Sequence, residues 1–253
     1  MIWDSRFVSL RPTGTMWELV FENGSTALAD IVLGADGANS KIRAYVTATG
    51  PVYSGITIIE GSVYNAAMTA PRVYELLKGG KLFVFGDEKS LIISSKGDGS
   101  MAFYTGNKKE EHWSGPDLHD PAQMLAWFKQ TFAGWSDIWD ELFENAAMPL
   151  VLRPQYYMPL DQYWAAQSHI TLLGDAAHLM PPYAGEGVNM AMLDAVELSE
   201  CLTNEAFPDL LTAIAHYETQ MRKRASETAA LTLEQTIALH SPDAIANTIA
   251  VMS

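Results

Sequence analysis

The sequence predicts an α/β (α+β) fold. Two apolar strand-like runs, Ala29–Leu33 and His169–Leu173, each run into a turn carrying glycine and aspartate, and a block of short alternating strands lies between them. Beyond Val188 the apolar spacing becomes helical, so strands and helices both contribute to the core.

Composition sets outer bounds. With 48% of 253 residues hydrophobic, the chain can bury a core, as one large domain or as two smaller ones. A formal charge of -14 repels phosphate backbones and anionic membrane surfaces, which argues against nucleic acid as a partner. The single cysteine, Cys201, excludes an intramolecular disulfide and falls in an apolar helical pattern, where a buried thiol is expected. No run approaches the ~18 apolar residues of a membrane span. The start, Met1-Ile2-Trp3-Asp4-Ser5-Arg6, lacks the form of a signal peptide, so a cytoplasmic protein with no stable membrane insertion is expected. No metal is expected either, because the histidines form neither His-Glu-x-x-His nor a Cys/His cluster, and a Gly-x-Ser-x-Gly elbow is lacking too.

From Arg6 to Leu33 the pattern reads as three strands, with turns at Pro12–Gly14 and Glu22–Ser25, where Asn23-Gly24 is a strong hairpin signal. The third, Ala29–Leu33, ends almost wholly apolar, as a strand buried on both faces does. Asn39–Val46 then fits a short helix, with Asn39 or Ser40 as its N-cap. Ile56–Val63, Lys81–Phe85, Leu91–Ser95 and Met101–Thr105 predict an antiparallel sheet. Pro121–Phe132 and Ser136–Asn145 have helical spacing, and their Trp127, Phe128, Trp135, Trp139 and Phe143 are expected in the core. Helices follow over Val188–Leu202, Asp209–Leu231 and Glu234–Met252.

The most specific string is Gly174-Asp175-Ala176-Ala177-His178-Leu179-Met180-Pro181-Pro182-Tyr183-Ala184-Gly185-Glu186-Gly187-Val188-Asn189. An apolar strand delivers the Asp175 carboxylate at its C-terminal end, where open α/β sheets place ligands, and the carboxylate can accept hydrogen bonds from a polyol. Pro181 and Pro182 stiffen the turn, and Gly185 and Gly187 let the backbone approach a flat ligand. The helix starting there offers unpaired N–H groups, which favour negative charge. Asp36-Gly37-Ala38-Asn39-Ser40-Lys41-Ile42-Arg43 ends the other apolar strand; alone, it would read as an ordinary turn with a cap. His178 could be an acid or base, although a hydrogen bond within the loop is the plainer reading.

These two segments resemble the GD and DG motifs of the class A FAD-dependent aromatic hydroxylases, the family of para-hydroxybenzoate hydroxylase. The likeness to one branch, the tetracycline-inactivating flavin monooxygenases, runs from Ile2-Trp3-Asp4 through Phe21-Glu22-Asn23 to His178–Pro182. That branch tends to carry Asn-Gly where this chain has Asp36-Gly37, and phenylalanine where it has Tyr183.

The resemblance implies a partial FAD-binding Rossmann-like domain combined with an antiparallel-sheet substrate domain and C-terminal helices. It divides the chain into residues 1–50 and 161–228 for FAD, 51–160 for substrate and 229–253 as a last helix. It further implies that Asp175 binds the ribityl chain and that Gly187, Val188 and Asn189 meet the pyrimidine edge. Gly174, Pro182 and Gly185 shape the same loop. Asp36 and Gly37 would lie near the pyrophosphate, and Arg43 would either meet cofactor phosphate or hold the loop as an ion-pair partner. Tyr183 would face the substrate, where a phenol can stack and hydrogen bond; the alternative is a rim tyrosine half in water.

The implied activity is hydroxylation of an aromatic or polycyclic substrate. NADPH or NADH reduces the flavin, O2 adds at C4a, and the hydroperoxide transfers the hydroxyl.

The family's Gly-x-Gly-x-x-Gly opening is not in this sequence. Gly97-Asp98-Gly99-Ser100-Met101-Ala102 lies between two strands and reads as a hairpin turn. The chain is therefore expected to lack the adenylate-binding start and to bind FAD weakly or not at all by itself. The alternative to an enzyme is a non-catalytic remnant or binding module that keeps the substrate-domain fold.

Overall fold

The structure, a computed structural model, describes the backbone of residues 1–252 and the side chains of residues 1–250. Along the chain come β1 (Phe7–Thr13), β2 (Met16–Phe21), β3 (Thr26–Ala29) and β4 (Val32–Gly34). They are followed by β5 (Val52–Val63), α1 (Ala66–Thr69), α2 (Pro71–Leu77), β6 (Lys81–Gly86), β7 (Lys89–Ser95) and β8 (Met101–Lys108). Next are α3 (Pro121–Thr131), α4 (Asp140–Glu144), β9 (Val151–Tyr157), β10 (Ile170–Leu172), α5 (Gly187–Thr203), α6 (Leu210–Leu239) and α7 (Ala244–Met252). This is the mixed α/β (α+β) class that the sequence predicts. Among the described residues no helix is long and apolar enough to cross a membrane.

The chain forms two compact units, one from residues 1–52 and 156–234, the other from residues 53–155 and 235 onward. In the first, β1, β2 and β3 make an antiparallel meander whose second turn is held by Asn23, its side-chain oxygen accepting from the amide and hydroxyl of Ser25. Pro12 sits within β1, at the edge of the meander, where a missing N–H costs no ladder bond. β4 pairs in parallel with β10, Val32 opposite Ile170 and Gly34 opposite Leu172. Parallel pairing puts both C-terminal ends at the same edge, so the loops after Gly34 and after Leu172 leave side by side. Ile42, Ile170, Leu172, Leu198, Tyr217 and Met221 pack into one core against this pair, and the Tyr217 hydroxyl donates to the Leu172 carbonyl at 3.0 Å.

The second unit is a five-stranded sheet in the order β6-β7-β8-β5-β9. Phe103, Phe128, Phe132 and Phe143 fill the core on one face, with Phe143 stacked on Phe128 at 4.3 Å. Trp139 is buried, and Trp127 and Trp135 pack against this core, as the helical spacing predicts. α3 starts where Pro121 follows Asp120, whose carboxylate caps the amides of Ala122 and Gln123. Gly97–Ser100 turns β7 into β8, with Asp98 accepting from the amide and hydroxyl of Ser100, which makes it a hairpin turn.

Several expectations change. The strand expected over Ala29–Leu33 is two strands: β3 completes the meander at Ala29, and β4 begins at Val32, whose amide donates to His169. Leu33 is exposed, so β4 is not buried on both faces. The helix expected over Asn39–Val46 is only a 3-10 turn at Arg43–Tyr45, because the Asp36 carboxylate takes the amides of Lys41 and Ile42. The Ser40 hydroxyl accepts from Arg43 N, but the turn starts after Ile42, so neither Asn39 nor Ser40 is its N-cap. No break separates Leu231 from Glu234; α6 runs on to Leu239, and Ser241-Pro242 provides the stop. Cys201 is half-buried rather than buried. β9, α1 and α2 have no counterpart in the sequence reading, being short and without clear periodicity.

Candidate functional site

The two loops that leave the β4–β10 edge, together with the start of α5, enclose a cleft of about 670 Å³ in the first unit. Its walls are Ala35 and Gly37 from the first loop, Gly174 and Asp175 from the second, Pro181, Pro182 and Gly185 from the proline turn, and Gly187, Val188 and Met192 from α5. The structure thus brings together seven residues that the sequence nominated from motifs more than 130 positions apart: Gly37, Gly174, Asp175, Pro182, Gly185, Gly187 and Val188.

Two glycines are required by geometry. Gly174 has φ +58°, and a Cβ on it would lie 3.0 Å from the Cβ of Ala191, so the loop can turn this tightly against α5 only without a side chain. At Gly187 a Cβ would point toward Asp175, 4.0 Å from its Oδ1, and would take up space at the cleft floor. No side chain caps the start of α5. Asp175 is exposed at the strand tip, and its carboxylate makes no hydrogen bond to another described residue. An acceptor-only group and unpartnered helix N–H groups therefore face the same space.

The other nominated residues act from behind the walls or beside them. Asp36 spends its carboxylate on its own turn, accepting from Ser40 Oγ at 2.5 Å and Lys41 N at 2.8 Å. Arg43 is buried. It donates to the carbonyl oxygens of Ala176 (2.7 Å) and Asp175 (2.9 Å), and its Nη1 lies 3.0 Å from Met158 Sδ. It holds the loop through main-chain carbonyls rather than as an ion-pair partner, and its guanidinium does not line the cleft. Burial lowers its pKa, opposed by the nearby charges of Asp36 and Asp175. Asn189 is exposed with a long contact to Glu186 at 3.4 Å, and Tyr183 is half-buried; neither lines the cleft. His178 is 2% exposed and bonds Asp194 at 2.5 Å, which is a structural contact of the loop.

Asp194 and Arg224 were not nominated. Asp194 is fully buried and accepts from Gly174 N, His178 Nε2 and Arg224 Nη2. Burial alone would raise its pKa, but these donors outweigh it and hold the carboxyl below its usual range. The signal available in the sequence was a lone carboxylate, seven residues after Gly187, on the inward face of an apolar helix. Among the described residues no cluster of His, Cys, Asp and Glu is arranged to hold a metal.

The cleft thus presents a strand-tip carboxylate, glycine-lined walls and an open helix start. Residues 18–231 match the FAD binding domain family, and the chain belongs to that family. Monooxygenase asqM of Emericella nidulans is 32% identical over 213 residues, covering 70% of this chain and 48% of that protein. Monooxygenase penA of Penicillium thymicola is 30% identical over 251 residues, covering 80% and 58% respectively. The chain therefore spans about half the length of these relatives. Among solved structures, Klebsiella pneumoniae HpxO complexed with FAD and uric acid superimposes with a TM-score of 0.77 at 21% identity, over 97% of this chain and 60% of that one. Tetracycline destructase Tet(51) superimposes with a TM-score of 0.68 at 17% identity, over 94% and 62%. At these identities the superpositions establish the shared fold.

Proposed function

We propose that this chain carries the flavin-ring site and the substrate-binding sheet of an FAD-dependent monooxygenase that hydroxylates a small aromatic substrate with O2 and NADPH or NADH. The observation that carries the reading is the Asp175 carboxylate, free of chain partners, facing an α5 start left bare by Gly187. These residues fit a flavin. Asp175 would accept from the ribityl hydroxyls, and the amides at Gly187 and Val188 would meet the pyrimidine edge, with the helix dipole favouring charge there. Pro181 and Pro182 hold the turn in one shape and form that wall of the cleft. When bound, FAD supplies the redox and oxygen chemistry, leaving the protein to position and shield.

The unit with β1–β4 and β10 is the FAD-holding part in this reading, and the unit with the five-stranded sheet is the substrate part. Register supports the second assignment: Phe83, Ile92, Tyr104 and Glu60 stand in one cross-strand row, on the face opposite the phenylalanine core, and all four retain solvent exposure. Such a row offers an aromatic wall with a carboxylate at its end, and Arg153 pairs with that Glu60. In this reading the activity belongs to a compartment that supplies reduced nicotinamide, such as the cytoplasm.

FMN carries the ring and ribityl chain without the adenylate, so it tests the cleft alone. In an NMR titration of the 253-residue chain, FMN is expected to shift the amides of Gly174, Gly187 and Val188. Asp175→Ala removes a charged acceptor worth about 1.5–3 kcal/mol and should weaken FMN by roughly ten- to hundredfold. Equal affinity in wild type and variant, or shifts confined to the five-stranded sheet, would refute the assignment.

A further inference from the structure

One face of α5 meets the 174–178 loop at three successive points. Gly187 stands under Asp175, with its missing Cβ position 4.0 Å from Oδ1. Ala191 stands under Gly174, with 3.0 Å from its Cβ to where a Gly174 Cβ would be. Asp194 accepts from Gly174 N at 2.9 Å and from His178 Nε2 at 2.5 Å. The spacing i, i+4, i+7 keeps all three on one helical face over about 10 Å. Asp194 is 0% exposed and His178 2%, and its second oxygen is held by Arg224 at 2.8 Å, so the carboxylate can neither swing nor exchange its partners for water. Arg224 in turn bonds Glu197, one turn further along α5.

We propose that Asp194 is the positioning residue of the cleft. By gripping both ends of the Gly174–His178 turn it fixes the distance between the Asp175 carboxylate and the open start of α5. It touches no cleft space itself and is not among the lining residues. The two groups that face a ligand belong to different segments, a strand tip and a helix start. Arg43 holds the loop from the β4 side through the Asp175 and Ala176 carbonyls. Asp194 holds it from the α5 side, the side that carries the open helix start. The buried carboxylate is suited to this work because one charged acceptor can take two loop donors and a guanidinium at once, which an amide cannot.

The identity of the ligand rests on the flavin reading above; the grip itself can be measured without any ligand. In the apo 253-residue chain, a buried imidazole–carboxylate hydrogen bond should give a slowly exchanging, downfield His178 Nε2 proton, and the Gly174 amide should be strongly protected from exchange. Asp194→Asn, with circular dichroism and the amide spectrum of the five-stranded sheet unchanged, is expected to lose that proton. It should also speed Gly174 exchange and weaken FMN at least roughly tenfold each. Asp175→Ala should weaken FMN while leaving the His178 proton and Gly174 protection intact. If wild type fails to bind FMN but Asp194→Asn releases Gly174, the flavin reading falls and the grip stands. If Asp194→Asn folds and neither exchange nor FMN affinity changes, the proposal is overturned. Should that variant not fold, His178→Gln decides: amides 175–178 should exchange at least several-fold faster, and no change would overturn the proposal.

Discussion

Replacing Arg43 by methionine tests how the two motif loops are tied together. The side chain is 6% exposed and donates to two carbonyl oxygens of the second loop, at 2.7 and 2.9 Å. Methionine keeps most of the volume and removes both donors, leaving the Ala176 and Asp175 carbonyls without them. A buried polar group without its partner costs about 1–3 kcal/mol; the Ala176 carbonyl bears this in full and that of the exposed Asp175 bears less, so the pair would cost about 2–5 kcal/mol. Part of this is returned, because burial already works against the guanidinium charge and lowers its pKa. The expected net loss is about 2–3 kcal/mol, roughly thirty- to a hundredfold in the folding equilibrium. Urea unfolding followed by circular dichroism measures it, with hydrogen exchange of the β10 amides showing that the loss falls on this unit. Arg43→Lys should recover little, since one ammonium cannot serve two carbonyls in the fixed fork of a guanidinium. A loss below about 0.5 kcal/mol, or full rescue by lysine, would refute the view that Arg43 joins the loops.

Gly187→Ala should leave the fold intact or raise its melting temperature, since alanine favours the helix by about 0.5–1 kcal/mol, while weakening FMN through a methyl group at the cleft floor; binding and stability measured on one sample would expose any other pattern. Glu218 is fully buried against Thr171 and Arg222, and burial raises its pKa despite those partners. A carboxyl with a raised native pKa stabilises the fold below its unfolded value and loses that contribution as pH rises through the native one. Glu218→Gln should therefore flatten the stability profile above about pH 4.5 and match or exceed wild type at neutral pH, which denaturation across pH can check. Phe143→Ala, at the centre of the stacked phenylalanines, should cost about 3–5 kcal/mol, with the loss confined to the amides of the five-stranded sheet and its helices.

Legibility followed the range of the interactions. The sheet strands β5 to β8, helix α3 and the hairpin turns were readable because alternation, a capping Asp120-Pro121 and Asn23-Gly24 act over a few residues. Strand β4 was misjudged because nothing local announces that Ala29 ends one sheet and Val32 begins another; that depends on β10, some 140 residues away. At Asp36 the structure adds what the motif leaves unsaid. Its carboxylate is consumed by the amides of Lys41 and Ile42, while its neighbour Gly37 reaches the cleft.

The sequence alone determined the chemistry on offer: a carboxylate at a strand tip, glycines in the loop that follows, prolines to stiffen the turn and a helix start beyond them. Only the tertiary structure decided which groups share one space, because parallel pairing of β4 with β10 sets two distant loops at one edge. It also decided that Asp194, His178 and Arg43 brace the site from within, since a buried hydrogen bond depends on where chains meet and leaves no spacing to read.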